Sequence, residues 1–151
     1  MMLKSLDRDV LFLIHDVGRL VRVHADRRAR AHGMTRAQWV VLARLERQPG
    51  LSQNELAAIV EVEPITIARL VDRLEKRGLV ERRPDAKDRR VWRLHLQPAA
   101  QPLIEEIHAY RAELNAFITQ GMQPEVIDTI VDGLLRMKTI LTTGNAADQA
   151  A

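Results

Sequence analysis

Apolar residues at Leu3, Leu6, Val10, Leu13, Val17 and Leu20 recur in alternating three- and four-residue steps, and Ile14 and Val21 widen the stripe. That spacing predicts a long amphipathic helix over about residues 5–31 with a seam-like face. Its far end is basic, through Arg19, Arg22, Arg27, Arg28 and Arg30. Gly33 breaks it. Thr35-Arg36-Ala37-Gln38 then reads as a capping box, in which the Thr35 hydroxyl takes an orphan N–H and Gln38 reaches back. Trp39, Leu42 and Leu45 give the next helix a buried face, and Gln48-Pro49-Gly50 stops it. A second capping box, Ser52-Gln53-Asn54-Glu55, opens a short helix through Val60. Glu61-Val62-Glu63 has no stripe and reads as a tight connection. Pro64 suits the first turn of a further helix, where its missing N–H costs nothing. Ile67, Leu70, Val71 and Leu74 form that helix's core face, and Gly78 caps its end.

The period changes to two after Leu79. Val80, then Trp92, Leu94 and Leu96, alternate with Glu81, Arg82, Arg93 and His95, which predicts two strands. Pro84 to Arg90 is the charged tip of the hairpin between them. Two more helices follow, over about residues 99–120 and 124–142, separated by Gly121 and Pro124. The tail, residues 146–151, is small and polar and is expected to be flexible. Four helices, two strands and two helices make a mostly α chain. Its middle portion, a short helix, a tight turn, a longer helix and a hairpin, has the winged helix-turn-helix pattern. The expected division is a winged domain over residues 33–97 and a helical region over residues 1–32 and 98–145.

Charge adds a second division. Residues 1–96 hold 20 Lys/Arg against 13 Asp/Glu, and residues 97–151 hold 3 against 7. A basic part joined to an acidic part suggests polyanion binding on one side and another task on the other; an ordinary solvated surface explains the balance equally well. The chain has 151 residues and no cysteine, which excludes disulfides, thiolate nucleophiles and Cys-type zinc sites. An apolar run such as Val10 to Ile14 is far too short to cross a bilayer. Lys4, Asp7, Arg8 and Asp9 stand where a secretory segment would be apolar, so a cytoplasmic address is expected.

The helix from Pro64 to Arg77 is the candidate reader of the major groove. With its core face turned in, Ile65, Thr66, Arg69 and Arg73 point elsewhere. Arg69 can offer two N–H groups to guanine O6 and N7, Thr66 suits several base edges, and Ile65 fits a thymine methyl. Arg73, one turn on, is better placed for a phosphate. A surface helix with solvated arginines is the plain alternative. The hairpin, with Arg82, Arg83, Lys87, Arg89, Arg90 and Arg93, adds a second basic element. A narrow minor groove concentrates negative potential and draws an inserted arginine, for which Arg89 at the tip is the candidate. Asp88 is expected to hold Arg90 or another neighbour by a charge-assisted hydrogen bond.

Leu74-Glu75-Lys76-Arg77-Gly78-Leu79-Val80, followed by Asp85-Ala86-Lys87-Asp88-Arg89-Arg90 and Leu94-His95-Leu96, resembles the MarR family of bacterial transcriptional regulators, and within it the SlyA-like branch. Gly33 to Trp39 and Leu51 to Ala57 share that style, so the resemblance covers nearly the whole chain. It implies a homodimeric winged-helix repressor or activator on a pseudo-palindromic stretch of double-stranded DNA, and of the two a repressor is the preferred expectation. It implies Thr66 and Arg69 as base readers and Arg89 as the minor-groove residue; Lys87 and Arg90, beside Arg89 in the basic wing, are further candidate DNA contacts. It also assigns the first helix and the last two to the dimer interface. The chain departs from many members after the second strand, where Leu96-Gln97-Pro98-Ala99-Ala100 replaces a Leu-Thr with a later Gly.

Other chemistry is thin. His15, His24, His32, His95 and His108 lack metal-ligand spacing. Ser52 is used by its capping box, there is no Gly-x-Ser-x-Gly elbow, and no glycine-rich phosphate loop is present. No catalytic residue, metal or cofactor is therefore expected. His24 continues the stripe of the first helix and reads first as a core or interface histidine. The resemblance implies a second use. Family members bind small aromatic or anionic effectors between the dimerisation helices and the winged domain, and Arg19, Arg22, His24 and Trp39 could line such a pocket. The rival to a DNA-binding regulator is a winged-helix module for protein–protein assembly, its basic wing docking an acidic partner.

Overall fold

The computed structural model describes residues 6–148. A 3-10 turn, Leu6–Arg8, leads into α1 (Val10–Ala31). Then come α2 (Arg36–Arg47), α3 (Gln53–Val60), α4 (Pro64–Lys76), β1 (Val80–Pro84), β2 (Trp92–Leu96), α5 (Gln101–Ile118) and α6 (Pro124–Asp148). The chain is mostly helical with one small antiparallel sheet, the fold class expected from its sequence. Contacts divide it into two compact units, one ending at Tyr110 and the other beginning at Arg111.

Several boundaries move for local reasons. The first helix begins at Val10 rather than near residue 5, because the Asp9 side chain accepts the Phe12 N–H at 3.0 Å and caps it there. Leu6 falls in the preceding turn, and Leu3 lies outside the described residues. Both capping boxes form. Thr35 Oγ1 accepts the Gln38 N–H and Gln38 Oε1 accepts the Thr35 N–H, and Ser52 and Glu55 repeat the exchange. Gly78 sits at φ +69°, a backbone conformation costly for other residues, and so turns the chain out of α4 into β1. Pro98–Ala100 forms a 3-10 turn before α5, which is how the altered Leu96–Ala100 segment connects sheet to helix.

The core of the first unit draws on α1 to α5 and on both strands. Val41, Leu42 and Leu45 from α2, Leu56 from α3, Ile67, Val71 and Leu74 from α4, Leu94 from β2 and Ile104 from α5 are fully enclosed. Each large side chain among them contributes about 1.5–3 kcal/mol on burial. Ala29 near the end of α1 joins the same core, so this unit is wider than the winged portion at residues 33–97.

In the second unit α6 runs through Asp148, beyond the end near residue 142 that the sequence suggested. Residues 146–148 are therefore helical rather than part of a flexible tail, and 149–151 lie outside the described residues. Thr139, Thr142 and Thr143 donate their hydroxyls to carbonyls one turn back. A polar sequence thus stays compatible with helix.

Candidate nucleic-acid interface

The turn between α3 and α4 sets the angle of the candidate reading helix. Glu61 takes a left-handed conformation (φ 58°, ψ 45°) and its N–H returns to Ala58 O, closing α3 abruptly. Pro64 then opens α4 at its first turn. Ile67, Leu70, Val71 and Leu74 face inward, as their spacing requires. Ile65 is 63% exposed, and Thr66, Arg69 and Arg73 are exposed as well. Neither Arg69 nor Arg73 has an ion pair among the described residues.

The wing is a short hairpin with register Val80↔Leu96, Arg82↔Leu94 and Pro84↔Trp92. Its inner end is core: Val80 and Leu94 are buried. Its outer end is not. Trp92, placed by alternation on the apolar face, is 44% exposed, because the pair Pro84–Trp92 lies beyond the core. The segment Gly50–Ser52 flanks β2 on its free side. Gly50 N–H donates to Leu94 O and Leu94 N–H to Leu51 O, both at 2.9 Å, and Ser52 bridges to Arg93. The wing is thereby fastened to the start of α3.

The structure sorts the wing's cations into two kinds. Arg82 is turned into the fold, bonded to Gln53, Ala68, Asp72 and Glu75. Arg93 donates to Asp85 at 2.8 Å, Glu55 at 3.1 Å and Gly50 O at 3.3 Å. Arg83 pairs with Glu81. Arg90 leans on Asp88, which also accepts the Arg90 N–H at 3.0 Å, yet its side chain remains 89% exposed. Asp88 therefore has the bracing part its position suggested. Lys87 and Arg89, at the exposed tip, have no ion pair among the described residues.

The acids of the wing are held ionised by these contacts. The Arg93 guanidinium, then the Lys87 and Asp88 N–H groups, pull the Asp85 carboxyl below its ordinary range. Arg90 does the same for Asp88. The Ser52 N–H, with Arg93 nearby, lowers Glu55 against the opposing effect of desolvation. Each such pair is a charge-assisted bond that orders a loop without adding to its net positive field.

The sequence pattern of the MarR family matches residues 34–92. The transcriptional regulator PA3341 is 36% identical over 87% of this chain and 96% of its own, with a TM-score of 0.77. The chain belongs to the MarR family. Crystal structures of MarR and of the transcriptional regulator SlyA are each 25% identical to it. The MarR structure covers 97% of this chain and 98% of its own, with a TM-score of 0.83. SlyA covers 90% and 96%, with a TM-score of 0.77. MarR family members are DNA-binding transcription regulators and not enzymes, so a regulator rather than a catalyst is the right frame for these residues. Among the described residues no helix is long and apolar enough to cross a membrane.

The four residues proposed from the sequence to line an effector pocket have different environments. Arg19 pairs with Asp16 at 3.6 Å, and Arg22 and His24 are exposed on α1, so His24 is not a core residue of this chain. Trp39 is in the core, and an open stacking surface is not what its ring provides. It packs instead between His32 and Tyr110, with ring centroids 5.8 and 5.7 Å away. Arg28 lies over the Tyr110 ring and donates to Glu106, which His32 also reaches at 3.1 Å. Burial raises the Tyr110 hydroxyl's pKa. Trp39 Nε1 and Tyr110 Oη are buried with no hydrogen-bond partner among the described residues. Sequence reasoning missed this cluster because its members are scattered over α1, α2 and α5; only Trp39 stood out.

Proposed function

We propose that the chain is a homodimeric repressor occupying a pseudo-palindromic operator, with one α4 in the major groove of each half-site and one wing at the flanking minor groove. The observation that carries this is the sorting of the arginines. Arg69 and Arg73 on α4, with Lys87 and Arg89 at the wing tip, remain exposed and unpaired with any described carboxylate, while Arg82 and Arg93 are used inside the fold. Arg69 suits a guanine edge, Thr66 and Ile65 adjoining bases, Arg73 a phosphate, and Arg89 the minor groove, with Lys87 and Arg90 on its backbone. Val10, Leu13, Val17 and Leu20 on α1, and Ile130, Leu134 and Leu141 on α6, stay roughly half exposed or more in the single chain. Apolar surface of that extent favours burial against a second copy.

A gel shift titrated with salt tests the reading. Binding whose affinity falls steeply as salt rises supports phosphate contacts, since each neutralised phosphate releases counterions. No binding to duplex DNA at low salt defeats it and leaves the protein-assembly module.

The control of binding forms the second half of the proposal: release by a small anionic aromatic molecule. The Trp39–Tyr110 cluster favours it, because two buried donors without partners among the described residues lie beside Arg28 and His32; an incoming carboxylate would take the place that Glu106 now holds on those two side chains. Arg19 and Arg22 are the alternative partners for that carboxylate. A thermal-shift panel of aromatic acids on wild type, Arg28→Ala and Arg22→Ala, repeated with DNA present, decides between them. If no acid stabilises the free protein, or the best one releases no DNA, this half is wrong. DNA must weaken a true effector by the factor with which the effector weakens DNA.

A further inference from the structure

We propose that Arg82 is a positioning residue for base reading: it removes Asp72 from competition for Arg69, neutralises Glu75 beside it and fixes α4 against the wing. The inference rests on the reading of α4 as the helix that enters the groove.

The geometry is specific to arginine. Arg82 projects from β1 with its side chain 17% exposed. Nε donates to Gln53 Oε1 at 2.8 Å, Nη1 to Glu75, and Nη2 to Asp72 Oδ1 at 2.7 Å and Ala68 O at 3.1 Å. One planar guanidinium therefore ties β1 to α3 and to two successive turns of α4. A lysine ammonium has three donors on a flexible stem and cannot span this set.

The electrostatics explain why it matters for DNA. Ala68, Asp72 and Glu75 fall at the i, i+4 and i+7 positions of one helical face, beside the face carrying Ile65, Arg69 and Arg73. Asp72 lies three residues after Arg69, a spacing at which opposite charges on a helix pair with each other. In the structure Asp72 pairs with Arg82 instead, and Arg69 is left without an ion pair among the described residues. Without Arg82, Asp72 and Glu75 would be two unneutralised carboxylates at the margin of a surface meant for phosphates. Asp72 would then also draw Arg69 along the helix and away from a base.

The test uses full-length protein and two duplexes, one enriched by the wild type from a randomised pool and one random. Affinities for both are compared at equal folded fraction, checked by melting. Arg82→Gln is expected to lower the specific-to-random ratio about tenfold. Adding Asp72→Asn and Glu75→Gln is expected to restore most of it, which a purely structural loss would not permit. Arg82→Lys should keep the wild-type affinity for random duplex but not the ratio. If Arg82→Gln does not fold, Arg82→Lys with and without Asp72→Asn gives the same comparison, and the ratio should rise when Asp72 is neutralised. An unchanged ratio in the folded Arg82 variant, or no recovery on neutralising the carboxylates, overturns the proposal. Failure of the wild type to bind either duplex overturns the DNA reading itself, and this inference with it.

Discussion

Arg93 and Asp85 meet at the outer end of the strands, just below the wing tip, Nε to Oδ2 at 2.8 Å, while the other oxygen of Asp85 accepts the Lys87 and Asp88 N–H groups at 2.8 and 3.1 Å. One carboxylate thus holds both the strand that returns from the wing and the turn that forms its tip. The same Arg93 reaches Glu55 and Gly50 O, which carries the restraint to the start of α3. The tip bearing Lys87 and Arg89 is ordered by groups that do not themselves face outward as free charge.

This arrangement predicts an acid-sensitive wing. Asp85 has a folded-state pKa below its unfolded value, chiefly because of Arg93. Its contribution is therefore complete above the unfolded value of about 3.9 and is lost as pH falls through the lower folded value. The Lys87 and Asp88 amide resonances should move together in that acid range and stay unchanged near neutrality. In Asp85→Asn the carboxylate titration should vanish and the tip amides should exchange faster at neutral pH. A wild-type midpoint at or above the ordinary aspartate value would show that Arg93 does not hold this carboxylate in solution.

The two exposed arginines of α4 should behave differently. Arg69→Ala should cost roughly 1–3 kcal/mol on the selected duplex and relax the preference at one base pair of each half-site. Arg73→Ala should weaken all duplexes alike and reduce the salt slope by about one counterion. Parallel titrations of specific and random DNA separate the cases. Equal losses on both duplexes for Arg69→Ala would make it a phosphate contact and shift the register of the helix by a turn.

What the sequence could reveal followed from the range of each interaction. Thr35 with Gln38, and Ser52 with Glu55, are three residues apart, so their capping boxes were legible as spacing and both are present. The core face of α4 was legible from its period. The sorting of the wing cations was not. Alternation along β1 puts Arg82 on the face of Val80 and Arg83 on that of Glu81, but it does not say that the first face meets Asp72 and Glu75. A weak signal existed, two acids on one face of a helix otherwise suited to DNA. Trp39 was legible as part of the buried face of α2, but Arg28 and Glu106 are 78 residues apart, and nothing local announces their contact. Alternation placed Trp92 on an inner face, but alternation does not say where along a strand the core ends.

The wing tip has its own signature. Arg89 is exposed and unpaired with any described carboxylate, so a narrow minor groove, where phosphates crowd and the potential deepens, should hold it best. Arg89→Ala is expected to weaken binding most on duplexes whose half-sites are flanked by A-tracts, and least on G·C-rich flanks. Arg90→Ala, which also removes a brace on Asp88, should weaken both flanks to a similar extent. Equal losses for Arg89→Ala on both kinds of flank would remove the minor-groove assignment.

The apolar faces give the last prediction. On α1, Val10, Leu13 and Val17 lie on one stripe at three- and four-residue steps, and on α6 Ile130, Leu134 and Leu141 do the same at steps of four and seven. All are at least 46% exposed in the single chain. An aspartate in a buried interface must either find a partner or be desolvated at a cost of several kcal/mol, whereas on a solvated face it costs almost nothing. Leu134→Asp and Val17→Asp should therefore shift the protein from dimer toward monomer in sedimentation. They should also make its melting temperature less dependent on concentration, since a dimer's stability rises with protomer concentration and a monomer's does not. A two-half-site duplex should then bind about 10²–10⁴-fold more weakly, the avidity lost when two reading heads are no longer linked, while a single half-site should bind nearly as before. If both variants remain dimers at micromolar concentration and keep full affinity, these stripes do not make the interface, and the second copy must be held by another surface.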